Sequence, residues 1–192
     1  MNVTLLDSTT DPLWLISMCA RRCYNSRSKD TLQNRETFVK GLIKSGHETP
    51  LENAVATFDI DGISRSCMAQ ITRHRIATFC VQSQRYCDVK ENEVVVPTRL
   101  LVEFPEVLSY IKEIKELYAQ LVQLGVPKED ARFLLPEGIT TNMTMTMNFR
   151  SLRHFLQLRL DKHAQWEVRN VAYKIYQICL DKWPWLVFDI SL

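Results

Sequence analysis

The sequence predicts one α+β domain over residues 1–192, built on a mixed or antiparallel sheet flanked by helices. Three observations carry that expectation. Two separated segments, Ala54–Ile60 and Met143–Asn148, alternate apolar and polar residues with the period of a half-buried strand. Most other apolar residues recur at helical spacing, and strands and helices do not alternate strictly as a doubly wound sheet requires. Hydrophobic residues make up 46% and charged residues 24%, the balance of a chain that can bury a full core.

The elements follow in order. Asp11-Pro12 supplies an N-cap and a proline at the first helical position, so Leu13–Cys23 reads as a helix. The polar stretch Asn25–Asn34 reads as a loop. Phe38, Val39, Leu42 and Ile43 have helical spacing, and Gly46 supplies a left-handed C-cap. The strand from Ala54 should end at the Asp61-Gly62 turn, after which Ser64 caps a short helix carrying Cys67, Met68 and Ile71. Glu93–Val96, stopped by Pro97, reads as a brief strand. Val107–Leu124 is the clearest helix, with Val107, Ile111, Ile114, Tyr118 and Leu121 on one face and Gly125 closing it. Pro127 restarts a short helix as far as Leu135. After the Met143–Asn148 strand, Ser151–Leu160 forms a helix, and Ala164, Val168, Val171, Ile175 and Ile178 mark the last one.

Composition excludes several function classes. The net charge of +2 is too small to make nucleic-acid or membrane binding the default. No apolar run approaches eighteen residues, and Met1-Asn2-Val3-Thr4 lacks the basic start of a secretory signal, so a cytoplasmic protein is expected. None of the six cysteines forms a Cys-x-x-Cys pair, and no two of the four histidines stand four residues apart. No metal site is therefore expected, and the thiols should be reduced and mostly buried. Cys67 and Cys80, which flank His74, are the candidates for a catalytic thiol. With five glycines and no Gly-x-Gly-x-x-Gly, a Rossmann nucleotide site is absent. Gly41 and Gly46 have phosphate-loop spacing, but His47-Glu48 replaces the lysine and hydroxyl such a loop needs.

Three constellations remain. Arg73-His74-Arg75 packs cationic groups together ahead of Ser83-Gln84-Arg85, with apolar Ile76, Ala77 and Phe79 between. Clustered guanidinium groups repel one another unless an anion lies among them, and their forked donors suit phosphate or carboxylate. A second set runs from Asn148 and Arg150 through His154 and Arg159 to His163, Gln165 and Trp166, with Leu152, Phe155 and Leu156 turned to the core. The third is His47-Glu48-Thr49-Pro50-Leu51-Glu52, an extended turn pinned by proline.

Together, in this order, these pieces resemble the flavin-dependent thymidylate synthases. That family's signature is Arg-His-Arg, seven residues, then Ser, here Arg73-His74-Arg75 and Ser83. His47-Glu48-Thr49-Pro50 is similar to its His-x-Thr-Pro turn. Asn148-Phe149-Arg150-Ser151-Leu152, Phe155-Leu156, Arg159 and His163-Ala164-Gln165-Trp166-Glu167 are similar to its C-terminal block. The resemblance implies the fold of the thymidylate synthase complementing proteins, with no Rossmann unit. It implies reductive methylation of dUMP to dTMP, with carbon from methylenetetrahydrofolate and hydride from FAD reduced by NADPH. It also implies a homotetramer whose active sites lie between subunits.

Carried over by motif, Thr49, Arg73, His74, Arg75, Val81, Asn148, Arg150 and His154 are implied flavin contacts, with His163 added. Gln70, Arg73, Ser83, Gln84, Arg85, Arg132 and Arg159 are the implied dUMP site, with Arg159 facing the uracil as the catalytic group. A guanidinium beside the ring would favour an enolate-like pyrimidine and raise electron density at C5. Arg85 and Arg132 would hold the phosphate, while Ser83, with no adjacent base, is assigned to binding rather than attack. One departure stands out. Cys80-Val81 occupies the place of the family's usual Asn-Glu, which removes two polar contacts worth about 1–3 kcal/mol each where a buried partner is left unpaired. The competing readings are a catalytically weakened relative that binds flavin or nucleotide, and a small nucleic-acid-binding protein, for which the usual recognition signatures are missing.

Overall fold

A computed structural model describes residues 1–191. The sheet has four strands in the order β1-β2-β4-β3, every pair antiparallel. These strands are β1 (Asn2–Ser8), β2 (Val55–Ser64), β3 (Thr78–Val81) and β4 (Thr140–Asn148). The alternation read over Ala54–Ile60 and Met143–Asn148 falls within β2 and β4, the two central strands. Ala56, Phe58, Ile60, Met143, Met145 and Met147 all point into the core, while Thr57, Asp59, Thr144 and Thr146 point away. On that polar face the Thr57 and Thr146 hydroxyls pair at 2.9 Å across the two strands.

Helices cover the apolar face. They are α1 (Pro12–Cys23), α2 (Leu32–Lys44), α3 (Arg65–Ile71), α7 (Phe149–Arg159), α8 (Trp166–Lys182) and α9 (Pro184–Val187). The outlying α4 (Thr98–Glu103), α5 (Val107–Gln123) and α6 (Lys128–Ala131) form a helical lobe with its own small core around Val89, Tyr118 and Ala131. The main core runs from Phe58 and Met145 through Phe149, Leu152 and Phe155 to Val171, Ile175 and Trp183. Each such large side chain contributes about 1.5–3 kcal/mol by leaving water.

The structure corrects several local expectations. The stretch Asn25–Asn34 is not all loop: Arg27–Lys29 is a short 3-10 turn, and α2 begins at Leu32. There Asn34 Oδ1 accepts the Thr31 backbone N–H at 3.2 Å, so the polar residues cap a helix rather than avoid one. The Asp61-Gly62 pair does not end β2 but forms an irregularity within it. Gly62 takes φ 67°, donates its N–H to Asn142 Oδ1 at 2.9 Å, and would bring an added Cβ within a tight 3.3 Å of the Met1 backbone nitrogen. Glu93–Val96 contributes only the single bridge Val94 to Ile139. Thr49–Asn53 is a 3-10 turn rather than an extended one, and the helix after Pro127 changes to 3-10 geometry at Arg132. Strands β1 and β3 had no sequence expectation. Both are edge strands whose pairing, not their pattern, makes them strands.

Candidate active site

The site residues hang on the ends of the central strands. Strand β2 runs into α3, capped by Ser64, whose Oγ accepts the Cys67 N–H at 2.9 Å. The turn after α3 carries Arg73-His74-Arg75 into β3. Strand β4 runs into α7, capped by Asn148, whose Oδ1 accepts the Ser151 N–H at 2.8 Å. Because β2 and β4 are antiparallel, these junctions stand at opposite ends of the pair, and the first two constellations meet where α7 and the end of α3 come together, through Arg159 with Gln70 and His74 with His154.

His74 turns inward between two exposed arginines. Its ring lies 5.6 Å from that of His154 and meets Phe155 edge-on at 5.5 Å. Burial, then the nearby His154 and Arg159, hold its pKa below the usual imidazole range. It is therefore a neutral ring near pH 7. Arg159, the last residue of α7, donates from Nη2 to the Gln70 carbonyl oxygen at 3.0 Å, joining the end of α7 to the end of α3. His74 Nε2 and Arg159 Nε are buried without a hydrogen-bond partner, as are Gln82 Oε1 and Gln84 Nε2. Buried polar atoms are seldom left unpaired, so His74 and Arg159 keep hydrogen-bonding capacity for a ligand, and Gln82 and Gln84 keep theirs farther along the chain.

The implied phosphate-binding residues gather at a second place. Glu129 Oε2 accepts from Arg85 Nε at 2.7 Å, and the Glu129 backbone carbonyl accepts from Arg132 Nε at 3.1 Å. Gln84 and Arg132 line one cavity of about 330 Å³, together with Arg65. The Ser83 hydroxyl accepts the Arg85 N–H at 3.3 Å, and its carbonyl receives the Cys87 N–H at 2.9 Å. Ser83 thus folds the turn that presents Gln84 and Arg85.

Other expected residues lie apart. Arg150 pairs with Glu52 at 2.6 Å on the surface, while Thr49 lines a cavity of about 260 Å³ beside Cys19, Cys23 and His47. His163 is exposed, its backbone N–H and ring Nδ1 both 2.8 Å from Asp161 Oδ1. Val81 sits in β3 opposite Met143, and Cys80 is exposed opposite Thr144. Cys67 is wholly buried, and burial together with Glu167 raises its thiol far above the ordinary range, which removes it as a nucleophile. Among the described residues no group of three or more His, Cys, Asp or Glu side chains is placed to hold a metal ion. None of their helices is long and apolar enough to cross a membrane.

Sequence reasoning missed the acidic partners. Arg153, 2% exposed, gives parallel hydrogen bonds to Asp189 at 2.8 and 2.9 Å, reaches Glu48 at 3.3 Å and donates to the Leu186 carbonyl. It ties α7 to the turn bearing Thr49 and to the C-terminal segment. Glu167 reaches back to Ser64, 103 residues earlier in the chain. Separations this long leave no local signal.

With this geometry in hand, comparison with known proteins identifies the lineage. A family model described as thymidylate synthase complementing protein matches residues 4–185. The chain belongs to this family. Among its relatives is the flavin-dependent thymidylate synthase of Haloarcula marismortui, 36% identical over 228 residues, covering 96% of this chain and 92% of the relative. The flavin-dependent thymidylate synthase of Pyrococcus furiosus is 37% identical over 190 residues, covering 92% and 78%. That of Geobacter sulfurreducens is 38% identical over 194 residues, covering 93% and 82%. In this member of the thymidylate synthase complementing proteins, the α+β sheet with no Rossmann unit is the family architecture.

Proposed function

We propose that this chain is a flavin-dependent thymidylate synthase that converts dUMP to dTMP, with FAD as cofactor, methylenetetrahydrofolate as carbon donor and NADPH as reductant. The carrying observation is the cluster of His74, His154 and Arg159 with its unpartnered buried nitrogens, in a chain whose relatives bear that name across nearly its whole length. The donor set fits a flavin. A neutral imidazole, an uncommitted guanidinium Nε and the exposed Arg73 and Arg75 offer hydrogen bonds and positive charge to a polar ring system with a diphosphate. FAD, when bound, supplies the hydride that the methylene transfer requires.

The protein's own residues do the rest. Arg159, held by Gln70, presents its guanidinium to the pyrimidine, where it stabilises negative charge developing as C5 becomes nucleophilic. No thiol is needed, which agrees with the inert, buried Cys67. Ser83, Gln84, Arg85 and Arg132 hold the phosphate end, so that the base is fixed in one orientation. For Arg85 this means exchanging the Glu129 carboxylate for substrate phosphate. Thr49, Arg73, Arg75, Val81, Asn148, Arg150, His154 and His163 complete the flavin side. Their dispersal within one chain supports a homotetramer in which neighbouring subunits complete each site. We place this activity in the cytoplasm, in a single domain. No observation here favours a weakened relative despite Cys80-Val81.

Purified protein given dUMP, methylenetetrahydrofolate and NADPH should be yellow and form dTMP. Absence of both flavin and product would refute the reading. Arg159→Ala should abolish turnover while the flavin stays bound.

A further inference from the structure

Glu167 has no part in the chemistry above, yet it is buried to 3% exposure with no basic side chain in ion-pair range among the described residues. A carboxylate in such a place is costly unless its oxygens are fully used. Here they are. Oε1 accepts the Ser64 backbone N–H at 2.7 Å, and Oε2 accepts the Ser64 hydroxyl at 2.5 Å. Because Ser64 spends its only hydroxyl proton on Glu167, an Oγ lone pair is left to accept the Cys67 N–H and start α3. At the far end of α3 the Gln70 carbonyl receives Arg159 Nη2. Cys67, between these ends, is influenced electrostatically by both Glu167 and Arg159.

We infer that Glu167 is a positioning residue for Arg159, acting through Ser64 and the rigid α3 to set where the Gln70 carbonyl anchors the guanidinium. The helix is seven residues long, so a change in its capped end is carried to its last turn rather than absorbed. Glutamine at 167 has the same size but only one acceptor. Its amide nitrogen would face the Ser64 hydroxyl as a donor, and that hydroxyl would have to turn away from its present role.

The inference rests on Arg159 serving the pyrimidine, and the test separates the two claims. Glu167→Gln, Arg159→Lys and the double variant are purified with flavin and titrated with dUMP, following the flavin absorbance change, and kcat for dTMP formation is measured in parallel. A misplacement of about 1 Å can cost about a hundredfold, and a smaller shift of the guanidinium correspondingly less. Glu167→Gln should therefore weaken dUMP binding or lower kcat about tenfold, with flavin content unchanged. Added to Arg159→Lys, it should cost less than twofold more, because residues acting through one path are not additive. Full additivity would overturn the relay and leave the role of Arg159 intact. An Arg159→Lys enzyme indistinguishable from wild type would overturn the assignment beneath it. Ser64→Ala, which removes only the hydroxyl, should show the same non-additivity, and it decides the matter if Glu167→Gln does not fold.

Discussion

Replacing Arg153 tests the tie that keeps the site-bearing helix in place. Its guanidinium makes parallel bonds to Asp189, a further bond to the Leu186 carbonyl and a longer contact to Glu48. Removing one partner of a buried pair costs about 3–5 kcal/mol, and Arg153→Ala adds an empty volume in the core. The two carboxylates are better placed, at 35% and 26% exposure, to regain water once the arginine is gone. Arg153→Met, which keeps most of the volume, should therefore cost less, about 1–3 kcal/mol. For a protein of this size each kcal/mol moves the melting temperature by about 2–4 °C. Thermal unfolding at pH 7 should place Arg153→Ala about 10 °C below wild type, with Arg153→Met between. A pH series adds a signature. Hydrogen bonding to Arg153 holds the Asp189 carboxyl below its ordinary pKa of 3.8. The stability it confers is complete above that value and is lost as pH falls through the lowered one. Arg153→Met should lack this acid limb. An Arg153→Met protein that melts with wild type and keeps the same acid profile would refute the reasoning.

Other outcomes follow from the same geometry. His74 titrates below its ordinary 6.5 in the folded protein, so wild type should lose stability as pH falls below 6.5 toward that lowered value, and His74→Gln should flatten the slope in urea titrations. Cys67 and Cys179 are buried, with the Cys179 thiol pushed up to about 12, so neither should react with a disulfide reagent until the chain unfolds; mass spectrometry of the labelled native protein would show it. Gly138→Ala would place a methyl 2.6 Å from the Val95 carbonyl oxygen, straining the Val94–Ile139 bridge at a cost of about 1–3 kcal/mol, visible as a lowered melting temperature.

The parts of this protein legible in its sequence are those with short-range causes. Asp11-Pro12 announces α1, the methionine alternation announces β4, and both match the structure because each is decided within a few residues. The edge strands are different. Leu5 and Leu6 fall side by side where β1 bulges, and β3 has only four residues, so neither presents a clean period-two pattern. At the candidate site the cationic groups were visible as clusters, but their burial was not. The triplet Arg73-His74-Arg75 reads as three cations, whereas folding buries and neutralises the middle one. The acidic partners Glu129, Glu48, Asp189 and Glu167 were invisible for a related reason. Each meets its partner from more than thirty residues away.

The order of strands has a bearing on how the chain is made. Strand β4 lies between β2 and β3 but is the last of the four to leave the ribosome. Until residue 148 emerges, β1 and β2 can pair only with each other and β3 has no neighbour, so the nascent sheet is half-built with its inner edge open. The methionine-rich strand is then the keystone whose arrival seals that edge, while the greasy side of the sheet stays bare until α7, α8 and α9 follow it out.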